Sequence, residues 1–146
     1  MEPRIDLITL AVAEVSVSRR FYVEGLGWRP LFASEEVVFV QVGRGLVLGL
    51  FGAADLAADM GVEPAPPGGT SSTLAHNVGS AAQVARVVAD LVVAGGTVIK
   101  PVQAAAFGGT HAYLADPDGH VWEVAHNPGW HVADDGTVTL VAVPDP

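Results

Sequence analysis

Apolar positions along the chain fall into two similar series. The first opens with an apolar run at residues 5–12. A helix signal follows from Ser16, with Phe21 and Leu26 directed at a core and Gly27 as its stop. Three short β-type runs come next, at 28–33, 36–42 and 46–51. The second series repeats this order: a run at 73–78, a helix from Ser80, then runs at 97–102, 110–115 and 120–126. Its helix is the clearer of the two. Ser80 and Gln83 form a capping box, Val84, Val87, Val88, Leu91 and Val92 make an amphipathic stripe, and Gly95-Gly96 ends it. Between the last two runs, Asp116-Pro117-Asp118-Gly119 has the composition of a type I turn in a hairpin. Valine and phenylalanine dominate the runs, as strands prefer. The pattern predicts β-α-β-β-β twice, an α+β fold in which helices cover one face of the sheet.

One composition break divides the series. Residues 61–72, GVEPAPPGGTSS, hold three prolines and three glycines and read as a linker. The chain is therefore read as one domain over 1–146: a first module at 1–60, the linker at 61–72, a second module at 73–130 and a tail at 131–146. In the tail, 137–143 is apolar enough to add an edge strand.

Composition narrows the function classes. Half of the 146 residues are apolar and 16% are charged, so the chain can bury a core and is not a disordered segment. Seven basic against 16 acidic side chains leave a net charge of −9. Such a surface is ill suited to nucleic-acid phosphates or an anionic membrane, so neither is expected as a partner. The absence of cysteine excludes disulfides, zinc-thiolate sites and cysteine nucleophiles. No apolar run approaches the ~20 residues of a membrane-spanning helix, and the first residues lack the pattern of a secretory leader. A cytoplasmic location is the resulting expectation.

Three stretches resemble the vicinal oxygen chelate superfamily, the glyoxalase/bleomycin resistance protein/dioxygenase group. ITLAVAEVSVSRRFYVEGLGW (8–28) resembles its opening strand and helix. TLAHNVGSAAQVARVVADLVVAGGTVIKPV (73–102) resembles the opening of its second module, and FGGTHAYLADPDGHVWEVAHNP (107–128) its closing hairpin, whose "DPDG…E" run is the most specific motif. The resemblance implies two βαβββ modules that form a half-open barrel around a cavity. It also implies four inward positions that in the family's enzymes hold a divalent metal. Here these positions are Leu7, Gly49, Thr73 and Glu123, with one strong ligand among them. Leucine and glycine offer no donor and threonine a weak one. Asp6 and His76 point the other way by strand parity. No metal and no cofactor are therefore expected.

The resemblance to metal-free members implies binding of a small apolar or aromatic molecule, with drug or natural-product resistance as the leading role. The expected ligand contacts are Leu7, Thr9, Gly49, Thr73, Asn77, Phe107 and Glu123. Glu123 and His111 are the candidate catalytic groups. A carboxylate in the apolar run 121–125 is poorly solvated, which suits a general base, and His111 stands beside the flexible Gly108-Gly109 at the expected cavity mouth. The bland readings are a relic carboxylate bonded to a neighbouring hydroxyl and a loop histidine facing solvent. His120, Trp122, Val124 and His126 share the opposite face of their strand and read as structural. Three alternatives stay open: a metal-dependent lyase or dioxygenase, a metal-independent isomerase, cyclase or hydrolase using Glu123 or His111, and an interaction module without a ligand. Unpaired sheet edges favour a two-fold homodimer.

Overall fold

The structure, a computed structural model, describes residues 1, 3–106 and 108–141. The first module runs β1 (Leu7–Val12), α1 (Val15–Arg19, widening into a π-helical turn over Arg20–Gly25), β2 (Pro30–Ala33), β3 (Val37–Gly43), β4 (Leu46–Gly52) and α2 (Ala53–Met60). The second runs β5 (Gly69–Asn77), α3 (Ala81–Val93), β6 (Thr97–Ala104), β7 (Thr110–Ala115) and β8 (His120–His126). Each module forms an open four-stranded sheet, in the orders β1-β4-β3-β2 and β5-β8-β7-β6. In both, the first strand pairs in parallel with the last, and the other neighbours are antiparallel. The α+β repeat read from the sequence is the repeat that folds.

Local chemistry explains most boundaries. The backbone N–H of Gln83 donates to Ser80 Oγ at 3.3 Å, which caps α3. Three segments differ from the sequence reading. The helix α2 went unread because eight residues, AADLAADM, are too few for a stripe to stand out. Alanine propensity forms it, and Gly61, at φ 69°, closes it in the left-handed conformation that glycine allows. Strand β5 begins at Gly69, inside the segment read as linker, because β8 offers it a partner: Gly69 pairs with His120 before a register shift leads to Thr73 opposite Val121. The tail makes its own two-stranded hairpin, β9 (Trp130–Val132) with β10 (Val138–Leu140), rather than adding an edge to either sheet. The last residues of the expected tail strand lie outside the described residues.

One apolar core serves both modules. Leu10, Val12, Val38, Val40, Leu48 and Leu50 of the first sheet join Ala112, Leu114 and Val124 of the second, with Phe21, Tyr22, Val84 and Leu91 from the helices among them. Both sheets thus turn one face toward the shared core and the helices. Side chains alternate along a strand, so the other face of each sheet looks outward. Among the described residues no helix is long and apolar enough to cross a membrane.

The turn at 116–119 fastens the modules together. Asp116 Oδ1 accepts the backbone N–H groups of Asp118 and His120 at 3.0 and 2.8 Å, and Gly119 takes φ 85°, as the tight turn requires. Asp116 Oδ2 accepts the Tyr22 hydroxyl at 2.6 Å, and Trp122 Nε1–H donates to the same Tyr22 oxygen at 2.9 Å. Asp118 accepts from Ser18 Oγ at 2.5 Å and from the Ala13 N–H at 2.7 Å. His120 Nε2 lies 2.7 Å from the Ala11 carbonyl oxygen. Burial, and next the Asp116 carboxylate, hold the Tyr22 phenol well above its usual range. The Tyr22→Phe variant leaves Asp116 Oδ2 and Trp122 Nε1 without their partner, and urea unfolding should register a loss of about 1–3 kcal/mol. A raised folded-state pKa adds stability that is complete below the unfolded value of ~10 and fades as pH rises beyond it. The deficit of the variant should therefore shrink above that pH, and an equal deficit at all pH values would contradict the assignment.

Candidate functional site

The register of the second sheet decides which polar groups meet. Glu123 lies opposite Tyr113 on β7 and opposite Ala75 on β5. His111 and Asn77 both lie opposite Ala125, and Thr73 opposite Val121, so all of these share the outward face with Glu123. His111 Nδ1 approaches Glu123 Oε1 to 3.1 Å, and the Tyr113 hydroxyl donates to the same oxygen at 3.0 Å. The Lys100 ammonium, on β6, sits 5.8 Å from the centre of the Tyr113 ring. Desolvation first, then the hydrogen bond to Glu123 and its negative charge, raise the Tyr113 phenol above its ordinary range.

Chemically, the cluster is a carboxylate held by two donors through one oxygen. The Nδ1 hydrogen of His111 is directed at Glu123, an assignment made from the contact. Glu123 Oε2 takes part in neither contact. Carboxylate, imidazole and phenol groups are the kinds of group that can bind a polar ligand atom or exchange a proton.

The sequence-selected residues divide into groups. Glu123 and His111 come together. His111 is not a solvent-facing loop residue but lies buried in β7, bonded to the carboxylate. Thr73 and Asn77 share their face and are exposed. Leu7, Thr9 and Gly49 lie on the outward face of the other sheet, with Leu7 opposite Val47 and Thr9 opposite Gly49. Both outward faces look away from the common core, so within one chain these three residues do not face Glu123. Phe107 lies outside the described residues. His120, Trp122 and His126 hold structural bonds on the core side: His120 to the Ala11 carbonyl, Trp122 to Tyr22 and His126 Nδ1 at 3.2 Å to the Val78 carbonyl. Tyr113 and Lys100 were missed by the sequence reading. The signal for Tyr113 was present, since alternation in THAYLA puts it on the face of His111.

The four metal positions of the fold do not fit a metal here. A Cβ built on Gly49 would stand 3.1 Å from Phe39 Cε1 and 3.4 Å from Leu7 Cδ1, so an aromatic ring occupies the space a ligand side chain would need. Leu7 brings no donor. Among the described residues no three His, Asp or Glu side chains gather as a metal site.

Two clefts open beside the core-facing tryptophans. The larger, about 840 Å³, is lined from both modules by Trp28, Arg29, His76 and Trp122, and Thr73 and Ala75 of the Glu123 face reach its edge. The smaller, about 480 Å³, shares Trp28, His76 and Trp122 and adds Asp90. Glu123 and His111 line neither.

The chain belongs to the glyoxalase/bleomycin resistance protein/dioxygenase superfamily, whose family model matches residues 4–124. It is similar to a glyoxalase-related enzyme from Fulvimarina pelagi, with 41% identity over 96% of this chain and 99% of that one and a TM-score of 0.87. A protein from Agrobacterium tumefaciens, solved by solution NMR, shows 27% identity over 86% and 98% of the two chains at a TM-score of 0.68. A lactoylglutathione lyase from the same organism shares the fold, with 20% identity over 85% and 93% and a TM-score of 0.64. Among curated proteins, none matches the chain.

An absorbance titration of the phenols tests the cluster. Tyr113 should ionise above the usual ~10 in the native protein, and Glu123→Gln, which removes the charge, should bring its midpoint down. A midpoint that does not move would detach Tyr113 from Glu123.

Proposed function

We propose that this chain is a metal-independent member of its superfamily that binds a small, mostly apolar or aromatic molecule on the outward face of the second sheet. Glu123, His111 and Tyr113 hold the polar group of that molecule. The observation behind this reading is the shared Glu123 Oε1, met at 3.1 Å by an imidazole nitrogen and at 3.0 Å by a phenol. That arrangement fixes a carboxylate beside the small, exposed side chains of Thr73 and Ala75. Sequestration of a drug or toxic natural product is the biological role such binding suits.

A second reading is supported by one feature of the same cluster. A carboxylate, an imidazole and a phenol joined through one oxygen fit metal-independent isomerase, cyclase or hydrolase chemistry, with His111 and Glu123 as the acting groups. Metal-dependent lyase or dioxygenase chemistry is disfavoured by the donor set and by the Phe39 ring over Gly49.

In a single chain the face that carries Glu123 is open. A two-fold homodimer would lay the outward face of a first module, with Leu7, Thr9 and Phe39, over it and enclose the ligand. Exposed apolar side chains support this: Leu7, Leu31 and Phe32 in the first module and Val98, Ile99 and Val102 in the second. Light scattering should return twice the chain mass, and a monomer at high concentration would refute the dimer.

Thermal-shift screening with flat aromatic antibiotics and natural products tests the binding. A true ligand at 100 times its Kd should stabilise the protein by about 2.7 kcal/mol. The gain should fall sharply in Glu123→Gln and Tyr113→Phe. A ligand whose effect ignores both substitutions binds elsewhere. The purified protein should carry no equivalent of zinc, nickel or iron, and chelator should leave its melting temperature unchanged. One equivalent of metal lost on Glu123→Gln would overturn the metal-independent reading.

A further inference from the structure

We propose that the 840 Å³ cleft between the modules is a second small-molecule site, shaped for a planar aromatic molecule that carries a carboxylate. Its aromatic wall lies on the opposite face of the second sheet from Glu123, and Thr73 and Ala75 of the Glu123 face reach only its β5 edge. Trp122 and Glu123 are adjacent on β8, so their side chains leave opposite faces of the sheet. The cleft is lined by Trp122 and not by Glu123.

The aromatic wall is rigid. Trp122 is tied through Nε1 to the Tyr22 hydroxyl, which is itself held by Asp116. Trp28 packs edge-on to Trp122, with ring centres 5.8 Å apart at 75°, and tilted against Tyr22 at 5.3 Å. Leu74 stands beside Trp122 on the same sheet face, and Ile8, Val40 and Leu48 line the cleft from the core side of the first sheet. A flat ring laid in the cleft meets this apolar lining. The volume lies within the ~300–1,000 Å³ of small-molecule sites.

The polar lining selects the charge. Arg29 and His76 contribute donors, and no carboxylate is among the described residues that line this cleft. The chain as a whole has 16 acidic against 7 basic side chains. An acid-free lining with a guanidinium is therefore the local reverse of the protein's surface, and it favours an anion. The planar fork of Arg29 matches a carboxylate in two parallel hydrogen bonds. The adjoining 480 Å³ cleft shares Trp28, His76 and Trp122 but contains Asp90, so the anionic end of the ligand belongs on the Arg29 side.

The test uses the full chain, labelled with ¹⁵N, and 2-naphthoate as the probe. The chain has three tryptophans, and their indole N–H signals are assigned by single Trp→Phe variants. Naphthoate should shift the Trp28 and Trp122 signals saturably and leave Trp130, in the tail hairpin, in place. Arg29 is exposed, so Arg29→Gln keeps the fold, and it should weaken naphthoate binding at least about fivefold. The neutral 2-naphthamide should bind the unaltered protein more weakly by a similar factor and be indifferent to Arg29→Gln. Glu123→Gln should leave the naphthoate Kd as it was, whatever becomes of ligands on the outward face. The proposal is overturned if millimolar naphthoate moves neither Trp28 nor Trp122, if Arg29→Gln binds as tightly as the parent, or if Glu123→Gln abolishes binding.

Discussion

The Tyr22 hydroxyl, 94 residues along the chain from Asp116, stands between a carboxylate oxygen of Asp116 and the indole nitrogen of Trp122. Asp116 is only 4% exposed. A buried carboxylate is tolerable only when its oxygens are bonded: one oxygen closes its own turn, and the other takes the phenol of the first module. This contact binds two otherwise separate sheets into one core. Because the turn is rigid, the β7–β8 register follows from it, with Tyr113 opposite Glu123 and His111 two residues further along the same face. Trp122 is held in the same act, and with it the aromatic wall of the cleft between the modules.

A second constraint follows from the shared core. Each sheet has one strongly apolar face, and both faces are spent on the same interior with the helices among them. The faces that carry the family's ligand positions are left pointing outward, on opposite sides of the chain. The carboxylate, imidazole and phenol of the second module are complete as a cluster, yet the apolar surface of the first module lies elsewhere. An enclosed pocket on the Glu123 face therefore needs surface from another chain, whereas the cleft lined by Trp28 and Trp122 needs none.

The first module has meanwhile lost the means to supply a metal ligand. Gly49 lies under the Phe39 ring, which a side chain there would have to push aside, and Leu7 stands against the same spot. The polar cluster lies on one sheet, where Glu123 meets His111 and Tyr113 of the neighbouring strand.

Much of this was legible in the amino-acid order. Apolar runs with one helix signal each specify the modules, the second through a capped amphipathic helix, and their repetition specifies the α+β fold. The bounds of β7 and β8 follow from alternation on either side of Asp116-Pro117-Asp118-Gly119, and the lack of donors at Leu7 and Gly49 needs no coordinates. What local pattern leaves open is whatever depends on contacts distant in sequence. The recruitment of Gly69 into β5 depends on β8 lying alongside. The burial of His111 against Glu123 depends on which residues face each other across two strands. That Leu7 and Glu123 look in different directions depends on how two similar modules share one interior. Periodicity tells which side of a strand is apolar, but only packing decides what that side is pressed against.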